Sequence, residues 1–467
     1  MRYFVDQFCS FRYHSFIPRE GTGLMGINGY LVKSTFVSAL GGLLFGFDTA
    51  VIAGTTHQLT EVYSLTPYLL GLTVSSALWG TVVGAMTAGY PGQRWGRRDS
   101  LRIMAVFYFL SALGCALSWN WGSLIAFRII GGLGIGGSSV LAPMYIAELS
   151  PAQWRGRLVG CFQVSIVLGI LLAYLSNFLI VRMNLGLMEW RWMLGVAAVP
   201  ALFFLLMLFF IPRSPRWLAL KDRTREALEV LRLTGNKNPE QELNAIVASI
   251  HLERSSAGEP ILQRKYALPI LLAVTAGAFN QLTGINACLY YLNDIFAAAG
   301  ASKYSAGMQS VTIGFTNLIF TLIAMTMIDN FGRKKLLLTG TAGVCFFLAA
   351  IGQMFRTGTH QSWLVWMVMA FMGFFAISQG AVIWVYMSEV FPTRVRAKGQ
   401  AIGTSTLWVM NALISALFPV LAKKSSATPF FFFATMMLID FVLVAAIYPE
   451  TKGVSLEQLE QRLGVAN

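Results

Sequence analysis

Residues 279–291 form an apolar stretch that nevertheless carries side chains able to bind a neutral ligand rich in hydroxyl groups. These side chains are those of Asn280, Gln281, Asn286 and Tyr290. The Thr283-Gly284 pair between the two asparagines is expected to weaken the helix at that point. Because loosened backbone in hydrocarbon is tolerated only where it lines a cavity or other protein, the stretch predicts a sugar pocket. Hydrogen bonding between packed helices is the alternative interpretation.

Two charged residues in apolar surroundings could handle a proton. Asp48 and Arg128 both lie in runs that are otherwise hydrophobic and rich in glycine. A charged side chain at membrane depth is costly and is by default functional. If the two residues pair, the arginine favours the ionised carboxylate while burial disfavours it, so Asp48 could change protonation with its surroundings. A static structural ion pair is the alternative.

Further polar or aromatic side chains in later apolar runs are candidates for the same pocket. They are Gln163, Asn317, Trp384, Trp408 and Asn411. The flat indole of Trp384 is suited to stacking on the C–H face of a pyranose. Asp440 is a lone carboxylate near the end of the chain, with no partner evident from the sequence.

The elements that must position these residues are membrane-spanning helices. Of 467 residues, 56% are hydrophobic and 12% charged, with a mean hydropathy of +0.62. About twenty apolar residues cross a bilayer, and twelve runs qualify, which predicts an all-α membrane protein. The runs lie near residues 34–56, 67–90, 101–119, 122–147, 157–180, 192–211, 267–296, 306–328, 335–355, 362–390, 397–421 and 429–448.

The net charge of +14 is explained by topology rather than by nucleic acid, which is not an expected partner. When both termini are placed in the cytoplasm, only six of the 35 lysines and arginines fall on the opposite side. This positive-inside bias predicts a multi-pass protein of the inner or plasma membrane with both termini cytoplasmic. The first thirty residues lack an apolar core with a cleavage site, so they are interpreted as a tail and not a signal peptide.

Two motifs recur at nearly one period. A glycine with two basic residues at 96–98 recurs at 332–334, and a Glu-x-x-Pro segment at 148–151 recurs at 389–392. The offsets are 236 and 241 residues, which indicates a duplication with a substrate site between pseudo-symmetric halves. The predicted parts are an N-terminal tail (1–33), a six-helix half (34–212), a small cytoplasmic helical linker (213–265), a second six-helix half (266–448) and a C-terminal tail (449–467).

An enzyme is not expected, because the chain shows no nucleophile–base pair and no phosphate-binding loop. The five cysteines are scattered, and four of them lie in apolar runs, which argues against a disulfide or metal framework. Neither a cofactor nor a metal is therefore predicted.

These features together resemble the sugar porter family of the major facilitator superfamily. The resemblance extends from about residue 35 to about residue 460 and is strongest to the bacterial D-xylose–proton symporters, which are similar to facilitative glucose transporters. It implies a twelve-helix transporter that works by alternating access. The matching segments are 41–49, 94–98, 128–132, 143–157, 214–218, 281–291, 388–392 and 449–453.

The resemblance also implies roles for individual residues. Asp48 and Arg128 match a protonatable aspartate and its arginine partner, and facilitative members typically carry asparagine at the first position. The positions that contact sugar are matched by Gln163, Gln281, Asn286, Tyr290, Asn317 and Trp384. The cytoplasmic charge network that holds the outward-facing state is matched by Arg94, Glu148, Arg155, Arg333, Glu389 and Arg396.

Five positions depart from the family pattern. Asn280 stands where a glutamine is usual, and Ile170 and Leu407 replace polar residues, so the pocket is less polar than in xylose symporters. Arg213 and Gln93 stand where acidic residues are usual or frequent. Neither D-xylose nor D-glucose is therefore assigned as the substrate.

The expected function is proton-coupled uptake of a neutral monosaccharide or polyol. The expected partners are that sugar, the proton and membrane lipid, and the chain is expected to be a monomer. One alternative is a facilitative uniporter of the same fold, in which the Asp48–Arg128 pair is structural. A non-transporting sugar receptor is the other.

Overall fold

Twelve helices are long and apolar enough to cross a membrane within residues 28–256, 260–392, 394–452, 454 and 458, which the computed structural model describes. For residues 252–256 and 328–330 this description covers the backbone. The predicted all-α membrane fold with twelve spans is confirmed. The spans are Gly29–Gly54, Pro67–Arg94, Arg97–Ala116, Trp121–Leu149, Arg155–Arg182, Gly186–Met207, Arg264–Tyr290, Lys303–Met327, Arg333–Thr357, Gln361–Glu389, Arg396–Lys424 and Thr428–Ile447.

The predicted terminal tails fall largely outside the described residues. Of the N-terminal tail (1–33), residues 29–33 already belong to the first span. Of the C-terminal tail (449–467), residues 449–452 are described without a gap, and the carboxylate of Glu450 accepts hydrogen bonds from the backbone of Arg333 and Lys334. This contact holds the end of the twelfth span against the start of the ninth.

Several spans begin where short polar side chains satisfy the first backbone N–H groups. Thr66 accepts from the backbone of Leu69, with Pro67 at the first helical position, and Ser302 accepts from the backbone of Ser305. At Asn120 a full capping box forms with Ser123. Such residues supply acceptors that the helix itself cannot, so the starts of these spans are encoded locally.

Three helices connect the sixth and seventh spans. They are Pro215–Leu220, Thr224–Leu233 and Pro239–Ser256. The Trp217 indole donates to the backbone oxygen of Gln93 at 3.0 Å. The linker is thereby attached to the turn between the second and third spans. The end of the bundle on this side is called the linker end below, and the opposite end is called the far end.

The spans of each half pack closely on partners within that half. The first packs on the fifth and the second on the fourth, while the seventh packs on the eleventh and the ninth on the twelfth. A Cβ at Gly46 would lie 1.8 Å from the backbone oxygen of Ile166, so only glycine permits this approach. The halves meet where the second span contacts the eleventh and the fifth contacts the eighth.

Two spans are interrupted at the middle of the second half. The seventh span has regular helix in Ala267–Leu282 and resumes in Ile285–Tyr290, with Gly284 at φ +74°. The Thr283 hydroxyl accepts from the backbone of Ile285, which satisfies part of the freed backbone. In the tenth span, Ala376–Gly380 forms a π-helical turn, a feature common at functional sites. The predicted break at the Thr-Gly pair is thus confirmed.

Candidate functional site

A row of amide side chains begins at the break in the seventh span. Gln281 donates from its amide to the side-chain oxygen of Asn280 at 2.8 Å, and Asn286 donates to that of Gln281 at 2.8 Å. Asn280 and Gln281 are buried, whereas Asn286 is half-buried. Because the other two amides are buried and Asn286 is half-buried, Asn286 is the end of the row that a ligand can reach. These three residues are called the amide row below.

Tyr290 and Asn411 hydrogen-bond to each other across the seventh and eleventh spans. The Asn411 amide donates to the Tyr290 hydroxyl at 3.2 Å and its oxygen accepts from Ser415 at 3.3 Å. Trp408, one turn before Asn411, has its ring 5.5 Å from that of Phe45. In this conformation these three residues pack or hydrogen-bond between helices, and their predicted contacts with sugar stay predictions.

Of three other residues predicted to contact sugar, two have amides without a described hydrogen-bond partner and one has an exposed side chain. Asn317 is only 9% exposed, yet its amide makes no hydrogen bond with the part of the chain that the structure describes. Gln163 is half-buried and likewise has no hydrogen-bond partner among the described residues. The Trp384 side chain follows the π-helical turn and is 43% exposed. Gln163 and Asn317 lie on the fifth and eighth spans, which face each other between the halves.

Asp48 and Arg128 line the same two small cavities, one of which Tyr290 of the second half also lines. Asp48 and Arg128 therefore lie close together, as predicted. A direct ion pair is not formed among the described residues, because the Arg128 guanidinium instead donates to the backbone oxygens of Thr73 at 3.0 Å and Val74 at 3.3 Å. Arg128 is thus satisfied without the carboxylate, and Asp48 faces the cavities.

One arginine–glutamate pair is repeated in both halves at the linker end. Arg97 contacts Glu148 at 2.9 Å, and Arg333 contacts Glu389 at 3.0 Å. A hydroxyl completes each pair: Ser214 donates to Glu148, and Thr451 donates to Glu389 at 2.6 Å. The two pairs are equivalent parts of the duplication.

In this structure the partner of Glu148 is Arg97 and not the predicted Arg94. Arg94 donates to the hydroxyl of Tyr90, one turn earlier, and not to Glu148. The sequence repeat contained the correct signal, because the offset of 236 residues maps Arg333 onto Arg97. The role of Arg94 in the network that holds the outward-facing state stays a prediction.

The remaining predicted gate residues also bond locally. Arg155 contacts Glu242 of the linker at 3.9 Å, and Arg396 donates to the backbone oxygen of Phe391 at 3.4 Å. Every ion pair that the structure describes at the linker end therefore stays within one half, stays within the linker or joins a half to the linker.

The far end has an ion pair that joins the two halves. Lys303, at the start of the eighth span, contacts Glu189 of the first half at 2.6 Å. Glu189 is only 3% exposed and also accepts from the Gln58 amide at 3.0 Å. Nearby, the Tyr174 hydroxyl donates to the backbone oxygen of Leu289 at 2.8 Å. These contacts close the far end. No sequence pattern indicates them, because Lys303 and Glu189 are 114 residues apart and belong to different halves.

Asp294 contributes a second acidic group to the far end. It lies in Leu292–Ala298, between the seventh and eighth spans, and faces Thr56 and His57 of the first half. Its Oδ2 atom is buried and has no hydrogen-bond partner among the described residues. Burial raises the pKa of Asp294 from its ordinary value of 3.8 to about 6, against the opposing effects of the Thr56 hydrogen bond and of His57.

Comparisons with known proteins agree along almost the whole chain. The family model described as "Sugar (and other) transporter" matches residues 34–463. The chain is 36% identical over 471 residues to the D-xylose-proton symporter of Escherichia coli (strain K12), covering 93% of this chain and 96% of that protein. It is 37% identical over 446 residues to the arabinose-proton symporter of Bacillus subtilis (strain 168), covering 93% and 95%. The inward open conformation of the xylose transporter XylE from E. coli superposes with a TM-score of 0.83 at 35% identity, covering 93% and 100%.

Proposed function

Because the chain belongs to the sugar (and other) transporter family, we propose that it couples inward proton movement to uptake of a neutral monosaccharide or polyol. The names of two relatives, which are proton symporters of D-xylose and of arabinose, support this class of substrate and this coupling. Membership of a transporter family also argues against an enzyme.

The observation that carries the coupling proposal is the environment of Asp48. Its carboxyl group faces cavities that are also lined by Arg128 of the fourth span and Tyr290 of the seventh. Protons entering these cavities would titrate an acid that no ion pair with a described residue holds in its charged form. The cavity that Asp48 shares with Tyr290 lies next to Asn411, because the Asn411 amide donates to the Tyr290 hydroxyl. Protonation of Asp48 and binding of sugar would therefore act on adjoining groups.

Neutral donors and acceptors support a sugar as the cargo. The amide row offers Asn286 at its reachable end, and Gln163 and Asn317 offer amides without described partners from the two facing halves. Uncharged amides recognise hydroxyl groups without requiring a charged ligand to be desolvated. In our proposal the sugar lies between these amides, with Trp384 stacking on its apolar face.

The distribution of ion pairs supports alternating access, because an ion pair joins the two halves at the far end while those described at the linker end do not. The linker end is proposed to be cytoplasmic because basic residues concentrate there. The far end, closed by Glu189 and Lys303, is then extracellular, and the chain is inward-facing, which agrees with its similarity to an inward open structure. The whole pathway lies within one chain, so we propose a monomer as the functional unit.

A uniporter is the second candidate, and the bonds of Arg128 to Thr73 and Val74 favour it, since Arg128 is hydrogen-bonded in the helix interface without Asp48. Proteoliposomes containing a pH-sensitive dye separate the two. Symport predicts alkalinisation outside the vesicles when a transported sugar is added, at a rate that scales with sugar flux. Sugar entry without any pH change would establish the uniporter.

Truncation of the amide row is expected to weaken sugar binding. Gln281→Ala and Asn286→Ala should each cost about 1–3 kcal/mol of binding free energy, because a sugar hydroxyl loses a buried partner. Calorimetry with the sugar that binds the wild type gives the measurement. Thr435→Val is the matched control, because it removes an exposed hydroxyl on the twelfth span. This variant should bind the sugar with wild-type affinity. Wild-type affinity in both alanine variants would place the pocket elsewhere.

Closure of the far end is expected to depend on pH through Asp294. Since burial in the closed form raises its pKa to about 6, the contribution of Asp294 to closure is fully present below the ordinary value of 3.8 and is lost as the pH rises through about 6. Spin labels at Leu187→Cys and Ala298→Cys, in a cysteine-free background, report the distance between the halves. Adding Asp294→Asn should abolish the loss of closure with rising pH; if closure is still lost as the pH rises, another group is responsible.

A further inference from the structure

Asp440 is a carboxyl group enclosed within the second half. It is 2% exposed in the twelfth span, where the Gln379 amide donates to its Oδ2 at 2.6 Å and the Thr341 hydroxyl donates at 3.3 Å. Both partners are neutral, and Asp440 forms no ion pair with any residue that the structure describes. An ionised carboxylate in such a place would be very costly without a cation.

The Gln379 side chain, which contacts Asp440, has an unpaired acceptor. It is 2% exposed, and its side-chain oxygen Oε1 is buried without a hydrogen-bond partner among the described residues. The two ends of an amide are exchanged by a half-turn of its terminal bond. If the amide is turned, Oε1 faces Asp440 and accepts a hydrogen bond from a protonated carboxyl group. One proton therefore removes the unpaired charge, and the turn of the amide gives Oε1 the donor that it lacked, with the NH₂ group in the former place of Oε1.

Gln379 also connects this acid to the amide row. Its backbone oxygen accepts from the Asn280 amide at 3.4 Å, and it lies in the π-helical turn Ala376–Gly380. In that turn the chain departs from α-helical bonding, so the side-chain anchor at Asp440 helps to determine where the backbone oxygen points. Asn280 in turn orients Gln281 and Asn286.

We propose that Asp440 is a proton-binding positioning residue, which stays protonated during transport and anchors Gln379 so that the amide row faces the sugar correctly. The proposal rests on the sugar site described under the proposed function. It adds a buried residue that positions the amide row without contacting the sugar. It assigns Asp440 a role different from that of Asp48, because its proton is structural and is not transported.

Two substitutions test the role. Asp440→Asn keeps a neutral group that donates to Gln379, so it should bind sugar within about twofold of wild type, whereas Asp440→Leu should lose roughly tenfold in affinity. The probe is whichever of D-xylose, arabinose and D-galactose binds the wild type by thermal shift. A simple structural role would lower the unfolding temperature of both variants without this contrast in affinity. If Asp440→Asn loses accumulation against a pH gradient, the proton is transported and the proposal is overturned.

Infrared spectroscopy tests the protonation state without any sugar or transport. At neutral pH the wild type should show the carbonyl stretch of a protonated carboxyl group that is absent from Asp440→Asn. This result stands even if the proposed transport function fails. An identical spectrum of the two proteins in this region would show that Asp440 is ionised and would overturn the proposal, whether or not Asp440→Leu folds.

Discussion

Asp48→Asn is expected to abolish accumulation of sugar against a concentration gradient while leaving sugar binding within a few-fold of wild type. Asparagine has the shape of the protonated acid but cannot release a proton. The substitution leaves the hydrogen bonds of Arg128 as they were, because its guanidinium already donates to the backbone oxygens of Thr73 and Val74. The variant should therefore fold and bind, and lose only the coupling.

The reason for this selective loss is thermodynamic linkage. Protonation of Asp48 removes a charge from cavities that Tyr290 of the second half also lines, so it favours the approach of the halves there. When the proton and the sugar stabilise the same transition, each raises the probability that the other is carried. A permanently neutral residue leaves the sugar transition intact and disconnects it from the pH gradient.

Proteoliposomes with an imposed pH gradient provide the measurement. Asp48→Asn should fail to concentrate sugar, yet counterflow exchange, which needs no net proton movement, should survive in part. Asp222→Asn is a suitable control, since Asp222 is exposed in the linker and has a positive φ that asparagine tolerates. Gradient-driven accumulation by Asp48→Asn would exclude Asp48 as the coupling acid.

Loss of the Glu189–Lys303 pair is expected to open the far end. Lys303→Gln leaves the Glu189 carboxylate, which is 3% exposed, with the Gln58 amide as its remaining described side-chain partner. Desolvating an unpaired carboxylate is costly, so the closed form is penalised and the open form gains population, by roughly tenfold or more. In the double variant with Glu189→Gln, two neutral amides remain and much of the closure should return.

The distance between spin labels at Leu187→Cys and Ala298→Cys gives the populations of the closed and open forms. Lys303→Gln should increase the long-distance fraction, and the double variant should decrease it again. Lys424→Gln, which removes another basic residue from the end of the eleventh span, controls for a general effect of charge. An unchanged distance distribution in Lys303→Gln would show that other contacts, such as that of Tyr174, hold the far end closed.

The amino-acid pattern was sufficient for every feature that depends on local chemistry or on length. Twelve spans, the break at Thr283-Gly284 and the duplication could all be predicted, and so could the family. A bilayer imposes a minimum apolar length on each span, adjacent threonine and glycine have low helix propensity, and motifs of a duplicated chain keep their spacing. None of these properties requires knowledge of which helix faces meet.

Features that depend on contacts between distant segments were decided by the tertiary structure alone. Arg128 bonds to backbone oxygens of the second span, Glu189 meets Lys303 across the halves, and Gln379 supplies the partner that Asp440 lacked in the sequence. Each depends on the rotation of a helix about its axis and on the conformational state of the transporter. A hydrophobic run encodes neither, because all its faces are apolar and either lipid or protein can cover them.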